Sequence, residues 1–263
     1  MYDVSSVSGR TALITGASTG IGAEFARQLA ARGASLVLVA RSIDKLETLA
    51  VSLRRRYGID VITEKLDLSA PDASDRLFQR ITELGLSVHF LVNSAGVSLV
   101  GPAVELPISR VAELVDLNAT TVLENTIRFL PAMTARGNGV IINVASTAAF
   151  QPAPYMATYG ATKACVLSFT QAVSAENAST GVRILALCPG PTDTPMMDGQ
   201  RSPLGRMRTP EQVVSTAFKA LRTRKTSVVD GRLSAFFARI VARLPVSILL
   251  TMSSRMMKRN MAG

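Results

Sequence analysis

Short apolar runs, many of them β-branched, recur along the chain at residues 11–15 (TALIT), 35–40 (SLVLVA), 60–66 (DVITEKL), 89–93 (HFLVN), 139–145 (GVIINVA) and 182–188 (VRILALC). Between them lie longer stretches such as GAEFARQLAARG and IDKLETLAVSLRRRYG, where apolar residues return at helical spacing and a glycine stands near the end. Strand-length runs with so few polar positions offer no face to water, so they predict strands buried on both sides. A parallel sheet layered by helices meets that demand. The expected fold class is α/β, one doubly wound parallel sheet with no internal linker, repeat or low-complexity segment.

Composition narrows the chemistry. A chain of 263 residues, 48% hydrophobic and 18% charged, suits one domain with a substantial core. Cys165 and Cys188 are the only cysteines and His89 is the single histidine, too few for a disulfide framework, a thiolate cluster or a zinc site, so no metal is expected. The opening MYDVSSVSGRTALITG has no basic and then apolar leader, which predicts a cytoplasmic protein. The net charge of +10 is unevenly placed: residues 201–263 hold 13 Lys and Arg against 2 Asp and Glu, whereas the first 200 residues hold 16 against 17. Such asymmetry suits a solvated basic face, an acidic partner or a membrane surface. No recognition motif or pattern of stacking aromatics accompanies it, so nucleic acid is not an expected partner.

Two local patterns carry candidate chemistry. The first strand runs into TGASTGIG, which sets Gly16, Gly20 and Gly22 in a turn opening a helix; backbone amides there can approach a pyrophosphate, and the helix N-terminus favours negative charge. In TYGATKACVLSF, a helix would place Tyr159 and Lys163 one turn apart on one face. A phenol beside a fixed cation is easier to ionise. A unit charge at roughly 4 Å and an effective dielectric near 20 is worth about 4 kcal/mol, some three pKa units before desolvation. Lys163 is therefore expected to acidify Tyr159. Tyr155 has no lysine four residues on.

The glycine spacing G-x-x-x-G-x-G, NSAG at 93–96, Asn118, Ser146, YGATK at 159–163 and PGPTDT at 189–194 together resemble the short-chain dehydrogenases/reductases, in that family's order across most of the chain. The resemblance implies a Rossmann-type sheet of about seven strands over residues 1–232, and hydride transfer between a nicotinamide cofactor and a carbonyl or alcohol. It implies a catalytic set of Asn118, Ser146, Tyr159 and Lys163. Tyr159 would give its proton to the carbonyl oxygen, Ser146 would bond that oxygen, Lys163 would bond the nicotinamide ribose, and Asn118 would hold a water leading from the lysine to solvent. Ser18, Thr19 and Ile21 fall with the three glycines at the phosphates. By the same resemblance Asp67 and Leu68 would stand at the adenine, Asn93, Ala95 and Gly96 at the adenosine side, and Pro189, Gly190, Thr192 and Thr194 around the nicotinamide. NSAG departs from the commoner N-N-A-G. A homodimer or homotetramer built on the helices after the fourth and fifth strands is also implied.

The second strand ends LVLVARS, with Ala40 where an acid would take the ribose hydroxyls of NAD, while Arg41 and Ser42 can supply donors to a 2′-phosphate. NADP(H) is the expected cofactor, on the strength of Arg41, because the glycine turn carries Thr19 rather than a basic residue. Residues 191–210 are rich in Pro, Gly and Met and read as a substrate loop, with Met196, Met197 and Met207 offering adaptable apolar surface. A small hydrophobic carbonyl or alcohol is the expected substrate, lipid-like or steroid-like, with acyl-carrier or CoA thioesters as an alternative and a non-catalytic dinucleotide-binding regulator as an alternative of another class. Residues 233–263 form a basic apolar extension that resembles that of ketoacyl and hydroxysteroid-type reductases. Phe236, Phe237, Ile240, Val241 and Leu244 share a helical face flanked by Arg239 and Arg243, suiting either an interfacial membrane helix or packing on the domain or a partner subunit. Pro245 splits that face and favours packing.

Overall fold

The computed structural model describes residues 7–197, 207–241 and 244–261. Seven parallel strands form one sheet in the order β3-β2-β1-β4-β5-β6-β7: β1 Thr11–Thr15, β2 Ser35–Ala40, β3 Val61–Lys65, β4 Val88–Asn93, β5 Gly139–Val144, β6 Val182–Cys188 and β7 Ser227–Val229. Helices α1 Gly20–Ala30, α2 Ile43–Tyr57, α3 Ala73–Glu83, α4 Ile108–Val115, α5 Thr121–Ala135, α6 Ala157–Glu176 and α7 Pro210–Leu221 supply the crossovers, and α8 Arg232–Val241 and α9 Val246–Met261 follow the last strand.

Both faces of the sheet are covered because the strands are apolar at odd and even positions alike. Ala12, Ile14, Leu36, Leu38, Phe90 and Val92 turn to one face, where Phe25 and Leu29 of α1, Leu46 of α2 and Phe218 of α7 pack on them. Leu13, Val37, Val39, Leu91 and Ile141 turn to the other, under Leu77 of α3 and Phe129 and Met133 of α5. Val166 and Leu167 of α6 close that second layer over Ala186 and Cys188. The chain leaves β1 for β2 on one side and later places β4 on the other, so the strand order reverses between β1 and β4. The loops at the carboxyl ends of these strands part there and leave a crevice, the position where open α/β sheets bind ligands.

The C-terminal extension divides into two. Leu249 of α9 is buried, and Leu250, itself exposed, lines one cavity with the 149–154 loop and the start of α6. On α8, Leu233 is 54% exposed and Phe236 57%, and Phe237 and Ile240 are also exposed, so this apolar face is not covered by the domain. The side chains of Arg239, Val241 and Arg243 lie outside the described residues, as do residues 198–206 of the expected substrate loop.

Candidate functional site

The crevice begins at the turn after β1. Gly16 has φ +65°, and a Cβ there would lie 2.7 Å from the backbone N and Cα of Ala95. A Cβ on Gly22 would lie 2.2 Å from the Gly16 carbonyl oxygen. Both positions therefore require glycine, and the result is a turn pressed flat against the tip of β4. Thr15 Oγ1 holds the two together by accepting from the Ser94 and Ala95 amides at 3.1 and 3.2 Å. The side chain of Thr19, which precedes α1, makes no capping hydrogen bond, so first-turn amides remain for an anion.

From this turn the crevice extends two ways. Toward one end it is lined by Arg41 and Ser42 after β2 and by Asp67 and Leu68 after β3, with Ala40 between. Arg41, Ser42 and Asp67 are exposed. The Ser69 hydroxyl and amide donate to Asp67 Oδ1 at 2.7 and 3.0 Å, and the hydroxyl bond is the main reason that this carboxyl sits below its usual range. Toward the other end the lining is Ser146, Tyr159 and Lys163, with Val97, Leu117, Val144 and Ala145 on one side and Pro189, Gly190, Thr192, Thr194, Pro195, Met196 and Met197 on the other. Gly16, Ser18, Thr19, Gly20, Ile21, Gly22, Ala95 and Gly96 line the middle.

Ser146 stands two residues past the end of β5 and caps the short turn at 147–150 by accepting from the Ala148 amide at 3.1 Å. Tyr159 and Lys163 stand one turn apart on α6, as their spacing predicts. The Lys163 ammonium donates to the Val144 carbonyl at 2.8 Å and lies 5.8 Å from the Tyr159 ring centroid. Only 4% of Lys163 is exposed, and burial lowers its pKa to about 8. Beneath it the buried Cys188 thiol is pushed up to about 12 by burial, which the neighbouring lysine only partly offsets.

Two expectations change. Tyr159 is not acidified on balance: burial raises the phenol above its usual pKa, and the hydrogen bond with Ser146 offsets only part of the rise. Tyr159 is half-buried and lines the crevice, and the Lys163 ammonium beside it donates to the Val144 carbonyl. Asn118 is fully buried in a single π turn, Asp116–Thr120, between α4 and α5, and does not line the crevice. Its amide bonds both backbone groups of Val97, at 2.9 and 2.8 Å. It touches the site through Gly96, where a Cβ would lie 3.1 Å from Asn118 Oδ1 and 3.6 Å from Lys163 Nζ.

Asn93, expected at the adenosine side, is buried below the crevice instead. It belongs to a ladder running Ser74–Asn125–Asn93–Asn143–Thr170, with hydrogen bonds of 2.8, 3.2, 2.9 and 3.0 Å. The ladder joins α3, α5, β4, β5 and α6, so it fixes the strand that delivers Ser146 against the helix that carries Tyr159 and Lys163. An amide inside a closed core must be satisfied by partners there, and these satisfy one another. Asn143 was the available signal, one amide in the otherwise apolar run GVIINVA.

Comparison with known proteins agrees with this geometry. Residues 10–204 match the family model described as short chain dehydrogenase. The chain is 30% identical over 261 residues to the very-long-chain 3-oxoacyl-CoA reductase-A of Danio rerio, covering 97% of this chain and 80% of that relative. A solved 7beta-hydroxysteroid dehydrogenase superposes with a TM-score of 0.87 at 28% identity, over 98% of this chain and 100% of that one. A short-chain dehydrogenase from Sphingobium yanoikuyae, solved in complex with NADPH, superposes with a TM-score of 0.79 at 30% identity, over 90% and 96%. The glycine turn, the crevice at the strand reversal and the tyrosine and lysine one turn apart are thus parts of one inherited plan, and the chain belongs to the short-chain dehydrogenase family of oxidoreductases.

Proposed function

We propose that the protein is an NADP(H)-dependent reductase that converts the carbonyl of a hydrophobic ketone to an alcohol. The observation that carries this reading is one continuous crevice with the glycine turn in its middle, Arg41 and Ser42 at one end and Ser146, Tyr159 and Lys163 at the other. The cradle fits the cofactor: two glycines that admit no Cβ, free amides at an uncapped helix N-terminus, and a guanidinium beside a hydroxyl where an NAD site places an acid. When bound, NADPH supplies the hydride. The protein's own residues do the rest. Ser146 bonds the carbonyl oxygen as charge develops on it, and Tyr159, kept protonated by burial, gives that oxygen its proton. The phenolate left behind faces Lys163, whose ammonium would also hold the cofactor's ribose. Gly16, Ser18, Thr19, Gly20, Ile21 and Gly22 would hold the phosphates.

Apolar lining at the tyrosine end, from Val97, Leu117, Val144, Pro195, Met196 and Met197, favours a bulky apolar carbonyl compound. The names of two relatives, a very-long-chain 3-oxoacyl-CoA reductase and a 7beta-hydroxysteroid dehydrogenase, point the same way. Exposed Val104, Ile108 and Ile127 around α4 and α5 leave apolar surface for a second copy of the chain. Replacing Arg41 by Asp tests the cofactor assignment. The acid repels a 2′-phosphate and accepts from a free ribose diol, so the ratio of NADPH to NADH affinity should fall on the order of 100-fold, the scale of losing charge-assisted hydrogen bonds. An unchanged ratio in direct titrations would remove Arg41 from the site.

The open face of α8 extends the reading to where the substrate comes from. Among the described residues no helix is long and apolar enough to cross a membrane. The exposed Leu233, Phe236, Phe237 and Ile240 nevertheless stand in a region with 13 basic residues against 2 acidic, which suits an anionic bilayer surface. The helix also starts beside the crevice: a Cβ on Gly190 would lie 3.0 Å from Ser234 Oγ. Intact protein should bind vesicles containing anionic lipid, less tightly as salt rises, and a chain lacking residues 233–261 should not. Loss of the oligomer on that deletion, with no vesicle binding by intact protein, would assign α8 to a subunit contact instead.

A further inference from the structure

Residues 189–194 form one wall of the crevice, and the way they are held has no part in the chemistry above. Their first residues leave β6 beside Ser146, where the Thr147 amide donates to the Pro189 carbonyl at 2.9 Å. Their last reaches the glycine turn, where a Cβ on Gly20 would lie 3.0 Å from Thr194 Cγ2. The segment thus spans the crevice from Ser146 to the phosphate turn, away from Arg41. Its middle pairs with Arg208 in a parallel bridge: Arg208 N donates to the Pro191 carbonyl at 3.1 Å, and Asp193 N donates to the Arg208 carbonyl at 2.8 Å.

Arg208 is itself tied down by its side chain. Its Nε and Nη2 donate to Asp230 Oδ2 and Oδ1 at 2.9 and 3.0 Å, a two-point fork. Asp230 follows β7, is 0% exposed, accepts a further hydrogen bond from Thr216 Oγ1 at 2.5 Å, and donates its own amide to the Cys188 carbonyl at 3.1 Å. The contacts close a ring: from Cys188 through Pro189–Pro191, across the bridge to Arg208, through the fork to Asp230, and back to Cys188. Burying a carboxylate is costly to the fold, and a well-packed apolar pair in the same place is often at least as stable. What the fork adds that such a pair would not is a fixed direction for the strand of backbone joined to Arg208.

We propose that Asp230 and Arg208 are positioning residues for the nicotinamide half of the cofactor site, acting through Thr192 and Thr194. The inference rests on the NADP(H) reading. Loosening the fork frees residues 191–194 while Arg41, Ser42 and Asp67 keep their places. Asp230→Asn removes the charge and one acceptor, and Arg208→Lys keeps the pair but loses the second contact point, so the lysine variant reports even where the asparagine variant does not fold. Each full-length variant is titrated calorimetrically with NADPH and with adenosine 2′,5′-bisphosphate, which carries the adenine end and its phosphates but no nicotinamide. NADPH should bind about 10-fold more weakly, the scale of one charge-assisted hydrogen bond, while the bisphosphate binds as to wild type. Equal weakening of both ligands, as general loosening of the fold would give, or no change in either, overturns the proposal. A wild-type protein that binds neither ligand overturns the cofactor reading and this inference with it.

Discussion

Replacing Tyr159 by phenylalanine is expected to lower turnover of a ketone roughly 1,000-fold, within the range that a positioned general acid contributes, while NADPH binds nearly as before. The change removes one hydroxyl at the end of the crevice and touches none of the groups set around the phosphates or at Arg41. It also removes the hydrogen bond with Ser146. The surviving rate would report what Ser146 and placement contribute alone. Burial holds the phenol protonated beyond its usual range, so the acid form is present throughout neutral and mildly alkaline pH. The wild-type rate of reduction should accordingly show no fall that traces to Tyr159 ionisation near neutrality. Stopped-flow traces of NADPH loss check both points, and a phenylalanine variant with near-wild-type turnover would eliminate Tyr159 as the acid.

Lys163→Met is expected to separate function from stability. The phenolate formed when Tyr159 gives up its proton would be buried with no cation facing it, so turnover should fall at least about 100-fold, as for loss of a group that stabilises developing charge. Stability should move the other way. The folded-state pKa of Lys163, about 8, lies below the ordinary value of 10.5, so the unfolded chain binds the extra proton more tightly. Below about pH 8 the cost of the buried charge is fully present, and it fades as pH rises from there toward the ordinary lysine value. Methionine fills similar space without the charge, so near neutrality the variant should gain on the order of 1–3 kcal/mol, with the gain shrinking in alkali. Denaturant titrations at neutral and alkaline pH measure it. A variant less stable than wild type near neutrality would show that the Val144 hydrogen bond outweighs desolvation.

The pattern of apolar runs was sufficient for six of the seven strands, because parallel strands buried on both faces leave no polar alternation that another layer could satisfy, whereas β7 is three half-buried residues. The site was legible wherever position along the chain dictates geometry: glycines that admit no Cβ at Gly16 and Gly22, and a helical repeat that stacks Lys163 on Tyr159. It was not legible where the outcome depends on which buried partner wins a polar group. Asn93 and Asn118 carry the same amide, the first expected at the adenosine side and the second at a water beside the lysine. Asn93 is taken by Asn125 and Asn143, and Asn118 by the Val97 backbone. The sign of the Tyr159 shift failed for a related reason, since spacing reports the distance to a charge and not the depth of burial that opposes it. Asp230 gave no signal at all: a lone acid after a short strand looks solvated until the fold brings Arg208 and Thr216 to it.

Hydride transfer itself is the most direct measurement. The full-length protein is supplied with NADPH carrying deuterium at the transferable position of the nicotinamide ring, together with a bulky ketone such as a long-chain 3-oxoacyl thioester or an oxosteroid. The alcohol formed is then isolated and examined by mass spectrometry and NMR. The account predicts one alcohol for each NADPH consumed, with deuterium on the carbinol carbon, and loss of both when Tyr159 is phenylalanine. NADPH that binds tightly in the crevice yet is consumed with no such ketone, in a protein shown to be folded, would contradict it and leave a dinucleotide-binding protein without this chemistry.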